Sequence, residues 1–213
     1  MKYKYIFCAG APGSKWSSLI KNIYYSPGID RTDYTDERTY YHDASGEMQL
    51  MHLGAYFDPG MTCNLPEYFN STSRHQAEQI FNYPFEEQYT DKYRIIKSHV
   101  FSYKENIDYL RNTFPESPII LVRRPNDACL GWWVKCGHFN ITYPLYHSYY
   151  KDLKTMSKII EKQNQGIGEV IKKYPVQIVD NNRSLASILK LDLPPEEYKQ
   201  NYLENDIEVK VIL

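Results

Sequence analysis

Apolar residues cluster in short runs separated by polar, helix-periodic stretches. Lys4–Gly10 (KYIFCAG) is an apolar run ending in glycine, the pattern of a strand buried on both faces. Residues 16–25 (WSSLIKNIYY) place Trp16, Leu19, Ile20 and Ile23 on one helical face, and Pro27-Gly28 stops that helix. Tyr93–Lys97 (YRIIK) and Pro118–Val122 (PIILV) repeat the strand pattern, and Val176–Val179 (VQIV) is a further short run. Helical spacing recurs at 72–81, Lys104–Phe114, Asn126–Cys136, 145–173 (where Gly166 and Gly168 weaken it), Ser184–Leu191 and Pro195–Leu203. Glu208–Leu213 reads as a final strand or tail, and Met48–Leu53 as a possible short strand.

Strands alternating with helices predict an α/β fold, a mainly parallel central sheet with helices on both faces. Residues 29–70 are polar, aromatic and irregular, an insertion facing substrate rather than a second domain. The 213 residues therefore read as one domain, 1–213.

Composition narrows the function. The 25 Lys and Arg nearly balance 26 Asp and Glu, so the basic excess of a nucleic-acid binder is missing. The four cysteines form no C-x-x-C pair and have no His partner at zinc spacing, which reads as buried reduced thiols in a reducing compartment. The start of the chain shows no signal-peptide pattern, and no apolar run approaches the ~20 residues that span a bilayer. A cytoplasmic location without membrane association is the expectation. The 21 Tyr, 3 Trp and 8 Phe leave room for an aromatic-lined pocket.

Ligands of a parallel sheet bind beyond the carboxyl ends of its strands. Three loops there carry chemistry. The first is Gly10-Ala11-Pro12-Gly13-Ser14-Lys15-Trp16-Ser17-Ser18. A turn from strand to helix presents backbone N–H groups at a positive dipole end, which suits phosphate or sulfate. Lys15 adds a charge, and the serines add hydroxyls. The loop misses the Walker A pattern at two places: the second glycine does not precede Lys15, and Trp16 stands where Ser or Thr would hold Mg²⁺. No metal is expected.

The second loop follows Arg94-Ile95-Ile96-Lys97-Ser98-His99. Residues two apart on an extended chain point the same way, so Lys97 and His99 would face one site. Imidazole is suited to removing a proton near neutral pH. The third places Arg123 and Arg124 at a strand end before Pro125-Asn126-Asp127, and guanidinium forks match phosphate oxygens.

Together these motifs resemble the sulfotransferase family. GAPGSKWSS looks like the family's loop for the donor's 5′-phosphosulfate, Lys97-Ser98-His99 like its K-[TS]-H segment, and Arg123-Arg124-Pro125-Asn126-Asp127 like its R-x-P-x-D segment for the 3′-phosphate. The likeness covers most of residues 4–200 in outline and is specific at these three motifs. It implies a P-loop NTPase-like three-layer fold. It also implies an enzyme that transfers a sulfuryl group from PAPS (3′-phosphoadenosine 5′-phosphosulfate) to a hydroxyl or amine of a small-molecule or carbohydrate acceptor, leaving PAP. His99 would be the base, with Lys97 and Lys15 as catalytic cations. The donor would lie on the loop from Gly10 to Ser18 and on Arg123 and Arg124. The chain departs from the family at Gly131, where a serine is usual, in the later place of Lys15, and in lacking a C-terminal R-K-G segment.

Acceptor contacts are expected from 40–70 and 132–150, with His52, Tyr56, Phe57, Trp132 and His138 as candidates. Two alternatives stay open at this point: a P-loop small-molecule or nucleotide kinase, and a non-catalytic nucleotide-binding module.

Overall fold

The computed structural model describes residues 4–33, 53–61, 63–86, 91–135, 148–192 and 206–213. Much of the stretch 29–70, most of the 48–53 strand reading and all of the 195–203 helix reading lie outside them. The elements run β1 (Lys4–Gly10), α1 (Trp16–Tyr24), β2 (Ala55–Tyr56), α2 (Arg74–Asn82), β3 (Tyr93–Lys97), a 3₁₀ turn (His99–Ser102), α3 (Lys104–Thr113), β4 (Ile119–Arg123), α4 (Asn126–Lys135), α5 (Leu153–Lys173), β5 (Gln177–Ile178), α6 (Asn182–Leu189) and β6 (Glu208–Ile212).

The sheet order is β2-β3-β1-β4-β6-β5. Strands β2, β3, β1 and β4 are mutually parallel, whereas β6 runs antiparallel to both neighbours. The result is an α/β fold with a mixed, mostly parallel sheet between helices. Alternate side chains feed two cores. Ile6, Cys8, Ile95, Ile120, Val122 and Val209 face α1 and α6. Tyr5, Phe7, Ile96, Ile119 and Leu121 face α2, α3 and the second half of α5. The second core is aromatic-rich: Phe7 packs on Phe81, Phe101 and Phe114 at centroid distances of 5.4, 5.8 and 5.4 Å, mostly edge-on.

Helix starts follow local chemistry. Ser73 and Gln76 form a capping box on α2, Asp152 caps α5 through the Thr155 N–H, and Asn181 with Ser184 boxes α6. The last of these moves the start of α6 two residues ahead of its sequence reading. Helix α5 runs unbroken through Gly166 and Gly168. Gly166 lets α5 lie against the 3₁₀ turn: a Cβ there would sit 2.5 Å from the Ser102 carbonyl oxygen and 2.8 Å from the Lys104 nitrogen.

Candidate functional site

The pairing register puts the three motif-bearing strand ends side by side. Cys8 stands opposite Lys97, and Gly10 opposite Val122, so β3, β1 and β4 all end at the same edge. The loop after β1 lies in the middle, with one motif on each side.

That loop turns tightly. The Ser14 N–H donates to the Ala11 carbonyl at 3.0 Å. Gly13 has φ 82°, and Lys15, the residue before α1, has φ 63°. A Cβ on Gly13 would lie 2.1 Å from the Cys129 carbonyl oxygen, so the loop presses directly on α4. The Lys15 side chain makes no capping hydrogen bond to α1. The first N–H groups of the helix therefore point out of its end without a side-chain acceptor from that cap residue. The Ser14 hydroxyl is buried and has no hydrogen-bond partner among the described residues. The Lys15 ammonium lies 4.6 Å from the Trp132 ring centroid. The Ser18 side chain is outside the described set.

His99 meets the loop from the β3 side. Its Nδ1 lies 2.6 Å from the Gly10 carbonyl oxygen. A carbonyl only accepts, so Nδ1 carries the proton in this contact and Nε2 of the neutral ring keeps its lone pair. The imidazole stacks on Trp16 with centroids 4.1 Å apart and planes 10° apart, and meets Tyr56 edge-on at 5.7 Å. Its pKa is lowered from 6.5: burial is the main cause and Lys97 adds to it, while Asp58 and the Gly10 carbonyl oppose. Lys97 is fully enclosed, with its ammonium 5.7 Å from the Tyr56 ring centroid.

The arginine turn meets the loop from the β4 side. Arg124 pairs with Asp206 at 2.8 Å and donates to the Gly13 and Ala128 carbonyls, each at 3.3 Å. It braces the loop. The Asn164 amide, from α5, donates to the Arg124 carbonyl at 2.8 Å and to Asn126 Oδ1 at 2.7 Å, which fixes the turn. Arg123 is half exposed and lies 3.7 Å from Glu208, its register partner on β6. Both arginines line a cleft of about 430 Å³ with Pro125, Asn126, Asn164, Asp206 and Glu208.

No protein-family model and no curated protein matches this chain.

Among the aromatic candidates, Tyr56 is buried and donates its hydroxyl to Asp58 at 3.0 Å. Phe57 is buried with its ring 6.0 Å from that of Phe81, in the second core. Trp132 is half-buried beside Lys15, and Lys135 lies 5.7 Å from its ring centroid. His52 and His138 fall outside the described residues.

The sequence reading missed Asp58 and Tyr150. Asp58 is fully buried beside His99, and the Tyr150 hydroxyl donates to it at 2.9 Å. The available signal was faint: an acid just before a Pro-Gly turn, inside an irregular aromatic stretch. Among the described residues no group of three or more His, Cys, Asp or Glu could hold a metal ion. No helix among them is long and apolar enough to cross a membrane.

Proposed function

We propose that the protein is a PAPS-dependent sulfotransferase acting on a small-molecule or sugar acceptor, with His99 as the base. One observation carries this reading: the glycine-rich loop touches both the imidazole (through Gly10) and the turn that carries Arg123 (through the Arg124 contact with Gly13), so a tight glycine loop, an imidazole and a half-exposed guanidinium share one strand edge. The residues suit such a donor. The N–H groups at the start of α1, the buried Ser14 hydroxyl and Lys15 would hold the 5′-phosphosulfate. Arg123, which lines the cleft, would hold the 3′-phosphate. A P-loop-like three-layer architecture belongs to the same proposal, as does a cytoplasmic setting. The latter is supported by the free, buried thiols of Cys8 and Cys129.

Bound there, the donor supplies an activated sulfuryl group, whose bond to the 5′-phosphate oxygen breaks as the acceptor's bond to sulfur forms, leaving adenosine 3′,5′-bisphosphate. The chain's own residues orient and move a proton. His99 Nε2 takes the acceptor's proton. Trp16 and the Gly10 carbonyl fix the ring's plane and tautomer. Lys97, enclosed behind the site, acts through its charge, helping to keep the imidazole neutral and ready to accept. Arg124 keeps the loop in shape rather than gripping the donor.

Calorimetry decides the donor class. Adenosine 3′,5′-bisphosphate is expected to bind without metal, and ATP with Mg²⁺ to bind far more weakly. The opposite order would replace this reading with a kinase. Binding of the bisphosphate with no transfer to any phenol, amine or sugar acceptor would leave a nucleotide-binding module.

Glu208 sharpens that experiment. Its carboxylate lies beside the guanidinium that the 3′-phosphate would use. Glu208→Gln is expected to tighten bisphosphate binding about threefold to tenfold, as ~1 kcal/mol of competing charge disappears at this half-exposed position. Weaker binding would mean that Glu208 helps hold Arg123 for the ligand.

A further inference from the structure

Among the described residues, four hydrogen bonds reach the Asp58 carboxylate. Ser98 Oγ and the His99 main-chain N–H donate to Oδ1, each at 3.0 Å. The Tyr56 and Tyr150 hydroxyls donate to Oδ2, at 3.0 and 2.9 Å. Asp58 itself is wholly inaccessible to solvent. The Phe57 N–H donates to the Lys97 carbonyl at 2.8 Å, which holds this turn against β3. Burial raises the Asp58 pKa from 3.8, whereas the His99 ring and the Tyr150, Tyr56 and Ser98 donors favour the charged form. What sets this carboxylate apart is where its donors come from. Two are consecutive residues that launch the 3₁₀ turn bearing the imidazole. A third, Tyr150, stands just before the Asp152 cap of α5, with its ring 5.1 Å from that of Trp133.

We infer that Asp58 is the positioning residue of this site, seating the main chain that carries the His99 imidazole and tying it to the entrance of α5 through Tyr150. The inference rests on reading His99 as the base. Burial and Lys97 both push the ring toward its neutral form, and Asp58 pulls the other way. Without that carboxylate the imidazole would be a weaker base, less able to take a proton from a hydroxyl. Among the described residues, the charged and titratable groups around this pair come from every neighbouring element. Lys97 stands on β3 beside Cys8 of β1, Tyr56 is on β2, and Tyr149 and Tyr150 lead into α5.

Side-chain ¹⁵N NMR of the full chain, without nucleotide, tests this, with His99→Asn used to assign the His99 signals. The native ring is expected to titrate below 6.5 and to carry its neutral proton on Nδ1. In Asp58→Asn the negative charge is gone, and the midpoint should fall by about 0.5–1 pH unit. In Tyr150→Phe the carboxylate loses a donor that favours its charged form, so the midpoint should fall by a smaller amount, a few tenths of a unit. A residue that merely held the fold together would leave both midpoints at the native value. Should Asp58→Asn fail to fold, Tyr150→Phe decides alone. An unchanged or raised midpoint there overturns the inference, as does an unchanged midpoint in folded Asp58→Asn. Shifts as expected in a chain that binds no adenosine 3′,5′-bisphosphate would keep Asp58 in this role and discard the sulfotransferase reading instead.

Discussion

His99→Asn is expected to lose roughly 10²–10⁴-fold in sulfuryl transfer, the range for removal of a general base, while binding adenosine 3′,5′-bisphosphate within about threefold of the native protein. Asparagine is the informative choice. Its amide nitrogen occupies the place of Nδ1 and still donates to the Gly10 carbonyl, whereas Nε2 disappears. Alanine would confuse the result, because it also strips the stacking partner from Trp16 and leaves the Gly10 carbonyl without its donor. The native rate should follow the neutral imidazole. Its acid limb is expected below 6.5, since burial lowers the pKa from that value. The same shift ties stability to pH. The unfolded imidazole binds its proton at higher pH than the folded one, so the folded state loses stability as pH falls from 6.5 through the lowered value. Rates of His99→Asn within a few-fold of native, measured by transfer from PAPS to an acceptor that the native protein uses, would remove the imidazole from the chemistry.

Gly13→Ala is expected to cost on the order of 3–4 kcal/mol and to abolish anion binding at the loop. Two penalties combine. The backbone there has φ 82°, a conformation that a Cβ disfavours, and the new methyl would stand 2.1 Å from the Cys129 carbonyl oxygen and 2.8 Å from its carbon. Those are main-chain atoms of α4, and they yield only if the helix moves. Moving α4 also disturbs the contacts from Arg124 to the Gly13 and Ala128 carbonyls. Gly131→Ala, on the same helix, is the control. A Cβ there meets nothing within 4 Å, so alanine should gain about 0.5–1 kcal/mol from helix propensity. Urea unfolding of the two variants, with calorimetry of bisphosphate binding, reads both expectations. A Gly13→Ala protein with native stability would show that the loop does not need this tight approach.

How much could be seen beforehand depended on the distance over which each feature is encoded. Lys4–Gly10 and Tyr93–Lys97 are legible because a parallel strand covered on both faces has to be a continuous apolar run, and both appear with the expected boundaries. The three loops were legible for a related reason, since the ends of such strands converge wherever the sheet is parallel. The roles of the cations were harder. Lys97 alternates correctly along β3 but is fully buried, and Arg124 is captured by Asp206, 82 residues later. Asp58 was invisible because its donors Ser98, His99 and Tyr150 lie 40, 41 and 92 residues away. Gly166 looked like a helix weakness because propensity is local, whereas the contact it permits, with Ser102 and Lys104, is not. The antiparallel direction of β6 likewise leaves no mark in the residues Glu208–Ile212 themselves.

That last strand has a consequence for how the chain assembles on the ribosome. β6 lies between β4 and β5 yet is synthesised after both. Until it emerges, β4 and β5 each lack their β6 partner. The β1–β3–β4 ladder can zip up during translation, but the wall of the arginine cleft that carries Glu208 closes only when this late segment threads into the gap. A nascent chain stalled before that point carries an open edge, the kind that invites pairing with a neighbouring polypeptide.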